Sequence, residues 1–294
     1  MAARFWLAEA RSSMKHIVFA IALVSSLLPP VYAQTAQEMK SAAPEHRKGE
    51  TQEQKGKRLL DEMVVALGGD AWLNKKTMYR EGQTAAFFRG EPTGSVVEFV
   101  EYKRFATANS PELARDEFKS WRGVITPGKK KDVVHLWTAD QGYEVTYKGQ
   151  TTLPEKQVTD YMRRRSHSLE EVMTKWVKQP GVIIISDGSG MRDRHAVDKV
   201  TVMAANNDSV TIEIDQNTHL PLQRSFQWRN EQFKDQDIDE EVYGDWRFFD
   251  GVATPMNMTN YRNGDMAAQN FYTKAHFNQP QPDDLYDNTK LLKK

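Results

Sequence analysis

His167, Glu170 and Glu171 form the first group of side chains whose types and spacing could do chemistry. On a helix these spacings bring an imidazole next to a carboxylate, as a metal half-site or an acid/base pair requires. No second His lies nearby in the sequence, and no His-Glu-x-x-His spacing occurs. The pattern therefore favours an exposed pair on a helix over a ligand or catalytic pair.

A second group of residues imitates the opening of a calcium loop. Asp235, Asp237 and Asp239 have the required alternation. The loop also needs Gly at its sixth position and Glu at its twelfth, where this chain has Glu240 and Trp246. Alternating acids on the solvent side of a strand are the simpler interpretation.

Ser189 is a candidate nucleophile, but the residues around it do not match a catalytic motif. It lies between two glycines, but it lacks the Gly-x-Ser-x-Gly register and does not connect a strand to a helix. A turn over residues 187–190 explains it. The chain has no Cys, which excludes thiol chemistry and thiolate metal sites. We therefore predict no catalytic residue, no metal ligand and no cofactor, in a protein that is not an enzyme.

The elements that must position the remaining residues are mostly strands. Between Ser209 and Phe277, apolar or aromatic residues alternate with polar ones, so that successive side chains point to opposite faces of a sheet. Polar turns separate these runs, which predicts an antiparallel meander; over the whole chain the strand-like segments number roughly ten to twelve. Earlier strand-like segments lie near residues 77–88, 95–106, 115–126, 132–148 and 182–186.

Two helices are predicted to cover this sheet. The first spans residues 56–67 and ends at Gly68-Gly69, which can adopt the left-handed conformation of a helix stop. The second spans residues 154–178 and has a break near 166–168. Its apolar side chains fall on one face, as in a helix that packs on a sheet.

The N-terminus has the features of an export signal. Lys15 and His16 precede an apolar run over residues 17–28, and a Pro-Pro pair and small residues up to Ala33 follow. We predict a signal peptide over residues 1–33, cleaved after Ala33, and a periplasmic protein. Residues 34–55 have almost no large apolar side chain and are predicted to be a disordered leader. Residues 56–294 then form a single domain.

The net charge of the chain limits the kinds of partner that it can bind. The chain has 40 basic and 40 acidic residues, and removal of the signal peptide, with three basic and one acidic residue, leaves a net charge of about −2. Nucleic acid is therefore not an expected partner. We expect a monomer.

Aromatic and thioether side chains on the predicted strands are the remaining candidates for a site. A strongly curved sheet that does not close leaves an apolar trough wherever its covering helices fall short. Plain core packing is the alternative for such residues. The predicted lining of the trough is Trp121, Trp137, Tyr143, Tyr147, Trp228, Trp246, Met258, Tyr261 and Phe271.

The order of these features resembles the outer-membrane lipoprotein-sorting (LolA-like) proteins. The resemblance is carried by Ala66-Leu67-Gly68-Gly69 at the helix end, Thr218-His219-Leu220-Pro221 between strands, and Tyr243-Gly244-Asp245-Trp246-Arg247 before Asp250-Gly251-Val252-Ala253-Thr254-Pro255. It implies a mainly β (α+β) fold in which the curved antiparallel sheet forms an incomplete barrel, lidded by an N-terminal and a central helix. It also implies an apolar cavity that carries acyl chains, with no chemistry.

Two functions remain open from the sequence. The first is a periplasmic, non-enzymatic carrier or binder of a lipid-like ligand, with a lipid or an acylated lipoprotein as its partner. Burial of an acyl chain at about 0.8 kcal/mol per methylene makes such binding strong enough without a charged anchor. The second is an envelope sensor or assembly protein that uses the same sheet to bind a protein partner.

Overall fold

The computed structural model describes residues 49–122, 126–230 and 232–290. The predicted signal peptide and residues 34–48 of the predicted leader lie outside the described residues. Within them, thirteen strands form one antiparallel sheet, which confirms the predicted fold class. The strands are β1 (Thr77–Phe88), β2 (Glu91–Arg104), β3 (Leu113–Arg122), β4 (Thr126–Trp137), β5 (Gly142–Thr146), β6 (Gly149–Thr152), β7 (Ile183–Arg192), β8 (His195–Met203), β9 (Ser209–Asp215), β10 (Pro221–Asn230), β11 (Asp235–Phe249), β12 (Val252–Arg262) and β13 (Asp265–Phe277).

The two halves of the chain form the two halves of the sheet. β1 pairs with β13 in the middle; β2 to β6 follow outward on one side, and β12 to β7 on the other. The chain thus starts at the centre, reaches one edge at β6, crosses to the other edge at β7 and returns by hairpins. No pairing joins β6 to β7 in the described part of the chain, so the sheet stays unclosed, as predicted.

The first helix, α1 (Gln52–Leu67), begins four residues before the predicted start and within the predicted leader. Thr51 explains this start, because its hydroxyl accepts from the Gln54 backbone while the Gln54 side chain accepts from the Thr51 backbone. The helix ends at Gly68 with φ 119°, as the sequence predicts. A short helix, α2 (Asp70–Leu73), follows directly.

The crossing from β6 to β7 is helical. It consists of α3 (Glu155–Ser166), α4 (Leu169–Thr174) and a 3-10 turn at Trp176–Lys178. The break between α3 and α4 lies where the sequence predicts it, because the Ser168 hydroxyl accepts from the Glu171 backbone and starts a new helix. α1 packs on β7 and β8, while α3 lies over the opposite half of the sheet.

One local prediction about the strands is wrong. Residues 187–190, predicted as a turn, lie inside β7, where a bulge at Ser186/Gly188 accommodates the glycines and the hairpin turn comes later, at Asp193-Arg194. The strand-like segment 132–148 forms the end of β4 and all of β5, and the turn between them ends at Gln141-Gly142, where the sequence marks a turn. None of the helices in the described residues is both long and apolar enough to cross a membrane.

Candidate functional site

The candidate site is a cavity on the concave face of the sheet. It has a volume of about 250 Å³ and lies where the central strands meet the helical crossing. Apolar packing closes both flanks: α1 covers Val200, Val210 and Ile212 on one side, and Tyr161 of α3 stacks on Trp137 on the other. The cavity therefore occupies the gap between the two halves of the lid.

The lining is more charged than the sequence predicts. Six basic and three acidic side chains line this cavity, with apolar groups between them. The alternating pattern of the strands predicts that charged side chains face solvent. Arg80 instead pairs across the sheet with Glu101, and Arg224 with Glu241, on the concave face. The expected apolar trough is thus an amphipathic cavity. The charged residues are Lys75, Arg80, Lys103, Arg164, Arg165, Arg224, Glu101, Glu170 and Glu241.

Arg224 belongs to a buried cluster on β10 and β11. Its Nε donates to Glu241 Oε2 at 3.0 Å, and the Tyr243 hydroxyl donates to the same oxygen at 2.7 Å. Burial disfavours the charge of Arg224, but the Glu241 carboxylate outweighs burial and raises the pKa of the guanidinium. The cation is therefore permanent, and the carboxylate that pairs with it also accepts from Tyr243.

Arg80 and Glu101 form a second pair on β1 and β2. Arg80 Nη2 donates to Glu101 Oε2 at 2.6 Å, and the guanidinium stacks over the Tyr272 ring, 4.1 Å from its centroid. Nη1 also lies 3.4 Å from the Met258 sulfur. These contacts hold the guanidinium flat against the floor of the cavity.

Lys75, after α2, approaches the same cavity from the lid. Its Nζ lies 3.1 Å from Glu170 Oε1 on α4 and 3.9 Å from the centroid of Trp72. Burial lowers the pKa of Lys75, although Glu170 opposes the shift. Burial also works against the charge of Glu170, but Lys75 and Lys103 lower the pKa of that carboxyl to about 2. The pair thus ties α4 to the chain after α2.

Asp116 on β3 extends this polar face by one strand. It is opposite Glu101 and His135 in the sheet, and its Oδ2 accepts from the Trp137 indole at 2.9 Å. Burial and the nearby Glu101 carboxylate raise the pKa of Asp116 to about 7. This carboxyl therefore changes charge near neutral pH.

The structure brings only some of the nine predicted lining residues together. Trp246 and Met258 line the cavity. Trp228 and Trp137 share the concave face but lie outside the cavity lining, since the guanidinium of Arg163 covers Trp228 at 4.5 Å and Tyr161 stacks on Trp137 at 3.8 Å.

Three other predicted residues lie on the opposite face. Phe271 pairs across the sheet with Gln83, Tyr261 with Glu240, and Tyr143 with Leu136, and these positions alternate with cavity-facing ones. Tyr147 lies in the turn after β5. Trp121 is in β3, but its side chain is outside the described residues. Sequence reasoning chose aromatic residues and missed the charged partners in the same strands.

His167 is buried, not exposed as predicted. Its Nε2 lies 2.9 Å from both Asp208 oxygens, and its ring stacks on Phe226 with centroids 4.1 Å apart. Its Nδ1 lies 2.7 Å from the Arg163 carbonyl oxygen and 3.0 Å from the Ser166 hydroxyl. A carbonyl only accepts, so Nδ1 carries a proton and cannot take the one on Ser166.

The acidic residues Asp235, Asp237 and Asp239 lie on β11, but they do not all face solvent as predicted. Asp237 accepts from the side chains of Asn230 and Asn263 at its strand ends. Asp239 is buried on the concave face, and burial raises the pKa of its carboxyl. The described residues contain no group of three or more His, Asp or Glu side chains that could hold a metal ion.

A more open groove of about 640 Å³ lies along the other side of α3. It shares Arg165 with the cavity. The Arg165 guanidinium donates to the Thr138 carbonyl oxygen at 2.7 Å and also to that of Ala139, which ties α3 to the turn between β4 and β5. The apolar groups along this groove are Ala106, Pro111, Ala139, Val158 and Met162.

Comparison with solved structures identifies the fold. A DUF1329 family protein from Desulfovibrio piger matches with a TM-score of 0.54 at 11% identity, over 81% of this chain and 98% of that chain. A domain assigned to outer-membrane lipoprotein sorting, from Vibrio parahaemolyticus, matches with a TM-score of 0.50 at 8% identity, over 78% and 97%. A LolA superfamily protein from Nitrosomonas europaea gives a TM-score of 0.44 at 9% identity, over 79% and 97%.

A scan against protein-family models gives no match, and neither does a search of the curated proteins. The similarity to solved structures is therefore one of fold. It confirms the predicted architecture, which this chain shares with the lipoprotein-sorting domain.

Proposed function

We propose that this protein is a non-enzymatic binding or carrier protein, which holds a lipid-like ligand between its curved sheet and its helical lid. The observation that carries the proposal is the cavity in the gap between α1 and α3, where apolar side chains alternate with fixed polar groups. In such a concavity the apolar groups supply buried surface for a ligand, and the placed polar groups fix its orientation.

The size of the cavity limits what enters it in this conformation. Small-molecule sites commonly measure about 300–1,000 Å³, whereas this cavity measures about 250 Å³. It accommodates one end of a long ligand. The groove along α3 adjoins it at Arg165 and supplies a path for the rest of an acyl chain. The contacts of Arg165 with Thr138 and Ala139 would then have to open.

Location and domain organisation belong to the same proposal. The export signal over residues 1–33 and the fold of a lipoprotein-sorting domain support a periplasmic protein, with residues 56–294 as its single ligand-binding domain. The partner is a lipid or an acylated lipoprotein. An exported carrier needs no energy-consuming chemistry, since reversible burial of apolar surface supplies its affinity.

Mass spectrometry of solvent extracts from the purified protein tests this function. We expect a lipid in stoichiometric amounts from the wild-type protein. Met258→Trp, which enlarges a side chain in the cavity lining, should reduce the amount; Met191→Trp, at a residue 71% exposed outside the cavity, is the matched control. Lipid-free protein that is recovered with a stoichiometric protein partner would instead favour the envelope sensor or assembly function.

A further inference from the structure

We propose that the cavity recognises an anionic head on its ligand, a phosphate or a carboxylate, through donors supplied by Arg224, Trp246 and Lys75. This inference rests on the proposed function, since it names the chemistry of the ligand that the cavity would hold. Its basis is a set of buried donors whose hydrogen-bonding capacity the described residues leave unused.

Arg224 has the clearest unused donor. Its side chain is 2% exposed, and its Nε binds Glu241. Its Nη1 is buried and has no hydrogen-bond partner among the described residues. A guanidinium has five donors and no acceptor, so only an acceptor group in the cavity can satisfy this atom. An unsatisfied buried donor is costly, and such groups in native proteins commonly mark a bound ion or an ordered water.

Trp246 supplies a second donor in the same cluster. Its indole Nε1 is buried without a partner in the described part of the chain, and an indole nitrogen can only donate. Its ring lies 5.9 Å, centroid to centroid, from that of Tyr243, whose hydroxyl shares Glu241 with Arg224. The Trp246 ring thus packs beside the hydrogen-bonded cluster of Arg224, Glu241 and Tyr243, so that the two unused donors lie next to one fixed cluster.

Lys75 and Arg164 extend the positive charge of the site. Lys75 Nζ lies 3.1 Å from Glu170 but has no partner with hydrogen-bond geometry among the described residues. Arg164 also lines the cavity, and its charge acts on the buried Asp239 carboxyl. Lys103 pairs with Glu112 outside the lining at 3.6 Å, which leaves five basic and three acidic side chains in the lining. An anion would reduce this remaining excess of positive charge.

The unpartnered donors and acceptors of the lining also favour an anionic head group over a neutral one. Among the described residues, three buried donors without a hydrogen-bond partner line the cavity, one of them the Lys75 ammonium beside Glu170, against one such acceptor, the Asn260 side-chain oxygen. A phosphate or carboxylate offers several acceptor oxygens and makes charge-assisted bonds, whereas a neutral hydroxyl offers one oxygen. The volume of about 250 Å³ corresponds to the share of about eight water molecules. It has room for such a head and its first methylenes.

The test compares three probes by titration calorimetry on the delipidated protein: hexadecyl phosphate, hexadecanol and inorganic phosphate. We expect hexadecyl phosphate to bind at least about tenfold more tightly than hexadecanol and more tightly than inorganic phosphate. Equal affinities for hexadecyl phosphate and hexadecanol would overturn the anionic head and leave the lipid-binding function intact. Tight binding of inorganic phosphate, without a gain from the alkyl chain, would overturn the lipid function and keep an anion site.

Substitutions in the cavity lining test whether the anionic head binds at these donors. Trp246→Phe removes the indole donor and keeps a ring, so the affinity for hexadecyl phosphate should fall about fivefold, while that for hexadecanol stays unchanged. Trp228→Phe, outside the cavity lining, is the matched control. The double variant Arg224→Gln/Glu241→Gln removes both members of the buried pair together and should reduce only the affinity for hexadecyl phosphate. Unchanged binding of that probe in both cavity variants would overturn the assignment.

Discussion

The Lys55 ammonium and the Asp198 carboxylate form a buried ion pair of 2.9 Å between the first turn of α1 and strand β8. The two residues are 143 positions apart, and the Ser189 hydroxyl donates to the same Asp198 oxygen at 2.7 Å. This pair fixes α1 on the sheet at one end, and the close approach of Gly68 to Gly251 fixes the other. The N-terminal part of the lid is thereby anchored at both ends.

Lys55→Met should lower the free energy of unfolding by about 3–5 kcal/mol, because it leaves Asp198 as a buried charge without its cation. Urea denaturation measures the change. Lys57→Met, at an exposed position of the same helix, is the control and should change it by less than about 0.5 kcal/mol. Equal losses in the two variants would show that the buried pair contributes nothing specific.

Gly68→Ala should destabilise the protein more than Gly264→Ala. Both glycines have a positive φ, 119° and 83°, which disfavours Ala. Only at Gly68 would the new Cβ lie 2.2 Å from a backbone oxygen, that of Gly251; at Gly264 no atom lies within 4 Å. We expect a loss of about 1 kcal/mol for Gly264→Ala and at least about 3 kcal/mol for Gly68→Ala, measured by thermal unfolding. Similar melting temperatures would contradict the close packing of α1 on the β11–β12 turn.

Asp116→Asn should stabilise the protein at alkaline pH and have little effect in acid. The folded-state pKa of about 7 lies above the ordinary value of 3.8, because burial and Glu101 disfavour the charge. Between these values the folded state binds the extra proton, so the stability of the wild-type protein falls as the pH rises. We expect a gain of about 1–3 kcal/mol near pH 8 for Asp116→Asn, and close to none near pH 4.

Chemical denaturation across this pH range gives the measurement for Asp116→Asn. Asp265→Asn, at the exposed first residue of β13, serves as the control. The amide can still accept from the Trp137 indole, so the variant isolates the charge. A gain that is the same at both ends of the pH range would show that Asp116 does not titrate near neutrality.

His167→Phe should destabilise the protein by about 2–3 kcal/mol. The substitution keeps a ring to stack on Phe226 but removes the contacts with Asp208 and Arg163, which join the α3–α4 break to the turn before β9. His195→Phe is the control, since the 55% exposed His195 side chain contacts Asp215 where water screens the pair. If His195→Phe has the larger effect on urea denaturation, His167 does not fix the lid.

The mature protein should begin at Gln34. We expect N-terminal sequencing of the protein from the periplasmic fraction to give that residue, because small residues up to Ala33 follow the apolar run of the export signal. Ala33→Arg should block cleavage and leave a longer protein, whereas Gln37→Arg in the predicted leader should not. A protein that retains Met1 in the cytoplasm would refute the predicted export.

Much of the fold could be predicted because it depends on local patterns. The alternation of Val210, Ile212 and Ile214 predicted a strand with one buried face, and all three are buried. β1 has the predicted bounds, residues 77–88. The errors lie where a tertiary contact changes the local preference, as at the bulge of Ser186/Gly188, which carries β7 through a segment that resembles a turn.

The sequence by itself determined that the chain would form an antiparallel meander with a helix at its start and another at its centre, because periodicity and turn residues act over short distances. Only the tertiary structure decided which residues line the site. Pairing of β1 with β13 brings Arg80 within 3.4 Å of Met258, 178 positions away, and burial turns charges that look solvent-facing into the cavity wall. Such pairings depend on the register between distant strands, which no single segment encodes.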